Sequence, residues 1–122
     1  LSMKSEEPFC RYSDLGVLKF FMDNEGRLDE HILHETYRTY ILPLRRHDET
    51  YHTELLNTLE LYIKNNCSKT ETEKHLFIHK NTLRARLATI NKILHCDIDN
   101  VEDLFKIQLA LKLRYFYDTQ EK

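Results

Sequence analysis

Between Ser68 and Leu94 the chain reads SKTETEKHLFIHKNTLRARLATINKIL, and this stretch limits what the rest can fold into. Leu83, Leu87, Ile90 and Leu94 recur at i, i+4, i+7 and i+11, so a helix starting near His79 buries one continuous apolar face. A very short turn separates it from a preceding helical segment. That segment has two possible N-terminal capping boxes, Ser68 with Glu71 and Thr70 with Glu73. Leu76, Phe77, Ile78, Leu83, Leu87 and Ile90 are the expected core of this helix pair.

At about 100° per residue, Asn81, Ala85, Ala88 and Lys92 fall on the opposite, outward face of the second helix, with Arg84 and Arg86 flanking it. That face suits a DNA major groove. Small alanines allow close approach, Asn pairs bidentately with adenine, and Arg pairs with guanine or phosphate. The expected roles follow: Asn81, Arg84 and Ala85 face base edges, with Ala85 a steric allowance, while His79, Lys80, Thr82 and Arg86 touch phosphates. The structural alternatives are a helix-start hydroxyl for Thr82 and a packed turn residue for His79.

The charge distribution points the same way. The whole chain carries −2, which argues against a strong nucleic-acid binder, but Lys64 to Cys96 holds seven basic and two acidic residues. That window is net +5 and the remainder is acidic, the asymmetry that a local phosphate-facing patch requires. A solvated charged helix is the plainer explanation of the charge alone.

With two glycines, two prolines and 31% charged residues in 122, the chain is expected to be all-α, with about six helices and solvated outer faces. It has no apolar run long enough to span a membrane and no signal-peptide pattern. Cys10, Cys67 and Cys96 are odd in number and lack metal-ligand spacing, so reduced thiols in a cytoplasmic protein are expected. A chain beginning at Leu1 rather than methionine reads as a piece of something larger.

In order, Leu1 to Glu7 is polar and expected to fray. Phe9 to Tyr12 suits a short extended segment. Ser13 or Asp14 can cap a helix with Leu15, Leu18, Phe21 and Met22 inward, ended at Asn24-Glu25-Gly26 with Gly26 left-handed. A second helix, about Leu28 to Leu42, turns Leu33, Tyr37, Tyr40, Ile41 and Leu44 inward and stops at Pro43. Arg45 to Tyr51 reads as a polar linker, dividing an N-terminal helical segment, 1–50, from a helix-turn-helix domain, 51–122. A third helix, Thr53 to Asn65, carries Leu55, Leu56, Leu59, Tyr62 and Ile63. Asp99 with Glu102 forms a capping box for a last helix reaching Phe116. That helix has two apolar stripes: Leu104, Ile107, Leu111 and Tyr115, then Phe105, Leu109 and Phe116. The second stripe requires either a second subunit or the Leu15–Met22 helix.

Residues 55–113 resemble the C-terminal helix-turn-helix domain of PucR-type transcriptional regulators, the group that includes purine-catabolism and sugar-diacid regulators. The resemblance rests on Tyr62-Ile63-Lys64-Asn65-Asn66, the run Leu76-Phe77-Ile78-His79-Lys80-Asn81-Thr82-Leu83, Arg86-Leu87, Asp97-Ile98-Asp99, Glu102-Asp103 and Gln108-Leu109-Ala110-Leu111. Tyr12-Ser13-Asp14-Leu15-Gly16 resembles, less closely, the end of the preceding domain in such regulators. The resemblance implies a DNA-binding output module that works on double-stranded DNA without catalysis or cofactor. It also implies effector sensing in a region outside this chain, and two copies on a two-fold or repeated site. The chain departs from the family pattern at Cys67, where glycine is usual, at Lys69, where an apolar residue is usual, and at Glu73, where a small alanine packs. The middle of Arg84-Ala85-Arg86 lacks the aromatic often found there. These departures keep a second reading open: a helical dimerisation or protein-interaction module with weak or no DNA binding.

Other chemistry has little support. His31, His34 and Glu35, and His75 with His79, have some metal-ligand character, but neither set makes H-E-x-x-H and no cysteine pair joins them. There is no Gly-rich phosphate loop or nucleophile elbow, and Asp29, Glu30 and Glu35 read as a solvated face.

Overall fold

Five helices pack around one main core in a computed structural model that describes residues 18–120. A 3-10 turn, Lys19–Phe21, leads into a tight reversal closed by an isolated antiparallel bridge between Met22 and Leu28. Within it the Asp23 carboxylate accepts the backbone N–H groups of Glu25 and Arg27 at 2.9 Å, which holds its pKa below the usual carboxylate value. Gly26 takes φ +76, as expected, although it closes this loop rather than a helix. Of the helix expected over Leu15–Met22, Leu18 is helical and Lys19–Phe21 is the 3-10 turn, while the expectations for Leu1 to Glu7, Phe9 to Tyr12, Cys10, Ser13, Asp14 and Leu15 lie outside the described residues.

Helix α1 starts at Glu30, where Asp29 accepts the N–H groups of His31 and Ile32 at 2.8 and 3.1 Å. It has three continuous stretches, Glu30–Thr36, a π-helical Tyr37–Ile41, and Leu42–Tyr51. Two expectations fail here. Pro43 does not stop the helix, and Arg45 to Tyr51 is its last stretch instead of a linker. A proline inside a regular α-helix lacks a donor and crowds the carbonyl four residues back. The wider π turn just before it, where Leu42 N–H reaches Tyr37 O, gives the ring room. Burial keeps the stretch in place: Tyr37, Ile41 and Leu44 enter the same core as the helices that follow.

Helix α2 (Leu55–Lys64) has no cap from its own N-cap residue, Glu54. Asp48 of α1 supplies it, accepting Leu55 N–H at 2.8 Å and Leu56 N–H at 3.1 Å across the left-handed His52. Asp48→Ala is expected to destabilise the fold by about 1–2 kcal/mol, the value of a lost N-terminal cap. Thermal unfolding checks this, and an unchanged melting temperature would show that the cap is replaceable.

Helices α3 (Lys69–Leu76), α4 (Lys80–Leu94) and α5 (Val101–Gln120) complete the fold. Leu55, Leu59, Tyr62 and Ile63 of α2 meet Leu83, Leu87, Ile90 and Leu94 of α4 and Ile107, Ala110 and Leu111 of α5. An Arg114–Glu60 ion pair, largely shielded from solvent, ties α5 to α2. Asn100 rather than Asp99 caps α5, accepting Asp103 N–H at 3.0 Å, because Asp99 accepts the Tyr62 hydroxyl, also at 3.0 Å. Burial and that bond push the Tyr62 phenol well above its ordinary value.

The second stripe of α5 divides. Leu109 and Phe116 pack with Leu18, Leu28, Leu33 and Leu113, whereas Phe105 is 56% exposed and Val101 82% exposed. No helix among the described residues is long and apolar enough to cross a membrane.

Candidate nucleic-acid interface

Helix α3 holds its place mainly through polar contacts. Most of it is exposed; Leu76 and Glu73 are half-buried, and Thr72 alone in the helix is fully buried. The Thr72 hydroxyl donates to Ser68 O at 2.8 Å and accepts from Asn65 Nδ2 at 3.5 Å. Ser68 is the N-cap, accepting Glu71 N–H at 3.2 Å, so of the two possible capping boxes the chain forms one half of the Ser68 one. The Glu71 carboxylate turns to Lys74, 3.8 Å away, instead of reaching back. Lys69, where the family pattern has an apolar residue, lies with its Nζ 5.7 Å from the Tyr62 ring centroid. Just before α3, Asn66 and Cys67 both adopt positive φ, which explains why glycine suits position 67. Cys67 and Cys96 are free thiols, and burial raises the pKa of both.

Helix α3 ends at Phe77 in the left-handed conformation, φ 57 and ψ 45, and Ile78 N–H returns to Glu73 O at 3.2 Å. His79 then caps α4, its Nδ1 accepting Asn81 N–H at 3.0 Å. A ring nitrogen that accepts carries no proton, so in the neutral imidazole the hydrogen sits on Nε2 as a donor.

The two faces of α4 separate as the spacing requires. Leu83, Leu87, Ile90 and Leu94 are buried, while Lys80, Asn81, Thr82, Arg84, Ala85, Ala88 and Lys92 are exposed. Arg86 sits apart from the exposed set. It is half-buried, and its Nη1 donates to Thr58 Oγ1 on α2 at 3.0 Å. Thr58 is fully buried and its hydroxyl donates a hydrogen bond to Glu54 O at 2.7 Å, so the pair fastens α4 to α2. The basic side chains Lys64, Lys69, Lys74, Lys80, Arg84 and Lys92 are all exposed.

Two residues of this region escape sequence reasoning. Phe77, expected in the core, is 92% exposed. Neither glycine nor asparagine stands between Leu76 and the cap His79, and that absence is the available signal that a bulky residue must take the left-handed turn. Thr58, the partner of Arg86, has no sequence signal. Among the described residues no group of three or more His, Cys, Asp or Glu is placed to hold a metal ion.

Residues 55–113 match the model of the PucR C-terminal helix-turn-helix domain. The chain is 32% identical over 102 residues to the proline-responsive transcriptional activator PutR of Bacillus subtilis, covering 84% of this chain and 24% of that protein. It is 32% identical over 121 residues to the DNA-binding transcriptional activator AdeR of the same organism, covering 93% of this chain and 28% of that protein. To the carbohydrate diacid regulator of Escherichia coli it is 37% identical over 59 residues, covering 48% of this chain and 15% of that protein. The chain thus spans about a quarter of the length of the first two of these relatives. No solved structure matches it. Residues 55–113 belong to the PucR C-terminal helix-turn-helix family of transcriptional regulators.

Proposed function

We propose that this chain is the DNA-binding output module of a transcriptional regulator, with α4 as the recognition helix in the major groove. One observation carries the reading: Asn81, Arg84, Ala85 and Ala88 are exposed together on the face of α4 opposite its buried Leu83–Leu94 seam. In this reading Asn81 and Arg84 meet base edges and Ala85 allows the close approach. Lys80, Thr82 and the Nε2–H of His79 meet phosphates at the helix N-terminus. Arg86 commits one nitrogen to Thr58 and offers the rest of its guanidinium to the same backbone. Residues 51–122 carry the DNA-binding function, and the segment before them is the tail of a preceding regulatory domain, its helix α1 packed into the same core. The effector is sensed by a region outside this chain, in the cytoplasm, and two copies address the operator as a homodimer, since one helix reads only a few base pairs.

Exposed Val101 and Phe105 on α5 favour a second reading, a helical dimerisation or protein-interaction module. Phosphate contacts separate the two. Lys80→Ala is expected to weaken binding to any duplex and to lower the slope of log affinity against log salt by about one. An unchanged slope would remove Lys80 from the interface.

A further inference from the structure

Phe77 combines two features that the fold alone does not explain. Its backbone is left-handed, which is disfavoured for a residue with a Cβ, and its ring is 92% exposed, so burial offsets nothing. Glycine would close the same turn without strain. Ile78 next to it packs against the core, while Phe77 and the cap His79, on either side, face solvent. Along the chain Phe77 follows Lys74 by three residues and precedes Lys80 by three, with His75 and His79 two residues to either side, and all four are exposed. An apolar surface bracketed by donors and positive charge fits a ligand whose apolar faces alternate with negative charges a few ångströms apart. The deoxyribose-phosphate backbone has that chemistry.

We propose that Phe77 is a further DNA-contact residue, its ring packed on deoxyribose at the edge of the groove entered by α4. The proposal rests on the reading of α4 as a DNA-binding helix. Phosphates on either side of that sugar meet Lys80 and His79. The contact displaces water but no counterion, so it adds affinity at every salt concentration and leaves the salt slope alone.

The test uses this chain and its Phe77→Gly variant on a mixed-sequence duplex, by fluorescence anisotropy over a salt series, with a melting curve for each. Phe77→Gly is expected to melt at the same or a higher temperature, because the strained residue is gone, yet to bind about five- to tenfold more weakly at every salt concentration with an unchanged slope. Phe77→Leu, which keeps an apolar side chain, is expected to recover part of that loss. Equal affinity of Phe77→Gly and the parent overturns the contact and leaves the DNA-binding reading standing. A lower melting temperature with a loss explained by the unfolded fraction makes Phe77 a packing residue and overturns the proposal, as does a flatter salt slope. No binding by the parent chain at low salt overturns both the proposal and the reading beneath it.

Discussion

Asn81→Ala with Arg84→Ala is expected to abolish sequence discrimination while leaving the fold intact. Both side chains are exposed on the first two turns of α4, and neither makes a side-chain hydrogen bond among the described residues. Alanine is the best helix former and exposed positions tolerate it, so stability is expected to stay within about 0.5 kcal/mol. Each base-edge contact contributes roughly 1–3 kcal/mol of specific binding. The double variant should therefore bind its own operator at least about thirtyfold more weakly. Residual binding to unrelated duplex should change far less, because Lys80, Thr82 and His79 still face the backbone. Competition between operator and random duplex measures the difference. A variant that keeps its preference for the operator would place base reading elsewhere on the chain.

Ile90→Ala is expected to have the largest effect on stability. Ile90 is fully buried in the seam where α4 meets α2 and α5. Truncating a buried Ile removes transfer energy and leaves a cavity, together about 2–5 kcal/mol. Against the 5–15 kcal/mol typical of a small domain that is a large share, and it lowers the melting temperature by roughly 10 °C or more. Binding should fall only as the folded fraction falls, since no phosphate or base contact is touched. Helical circular dichroism followed during melting reads the result. A loss below about 1 kcal/mol would show that α4 is not seated on this seam.

The signals in the amino-acid sequence differ in how much of the fold they determine. Period is reliable: the Leu83, Leu87, Ile90, Leu94 spacing placed both faces of α4 where the structure has them, because one apolar stripe leaves a helix a single rotational setting. Caps are read to within a residue or two. Ser68 is where the motif puts it, but the cap of α5 moves from Asp99 to Asn100, since Asp99 has a more distant partner in Tyr62.

Local rules fail where tertiary packing opposes them. Pro43 forbids a regular turn, yet burial of Tyr37, Ile41 and Leu44 keeps α1 intact by way of a π turn. The charged Arg45–Tyr51 stretch looks like a linker until Asp48 is seen capping α2 and Arg45 is seen donating to Tyr37 and Asp118. Hydrophobicity by itself misplaced Phe77, because residue type says nothing of backbone conformation and the αL turn points that ring outward. Arg86 shows the same limit for charge: basic character alone did not reveal its bond to Thr58.

Anisotropy of this chain with duplex DNA from the region upstream of its own gene, over a salt series, decides whether α4 reads DNA. Binding is expected to weaken steeply with salt, with a slope that counts the phosphate contacts, and to weaken again in the Asn81→Ala, Arg84→Ala variant. A folded chain that binds no duplex even at low salt, or binds it equally well with both residues replaced, would contradict the assignment of α4 as a DNA-reading helix.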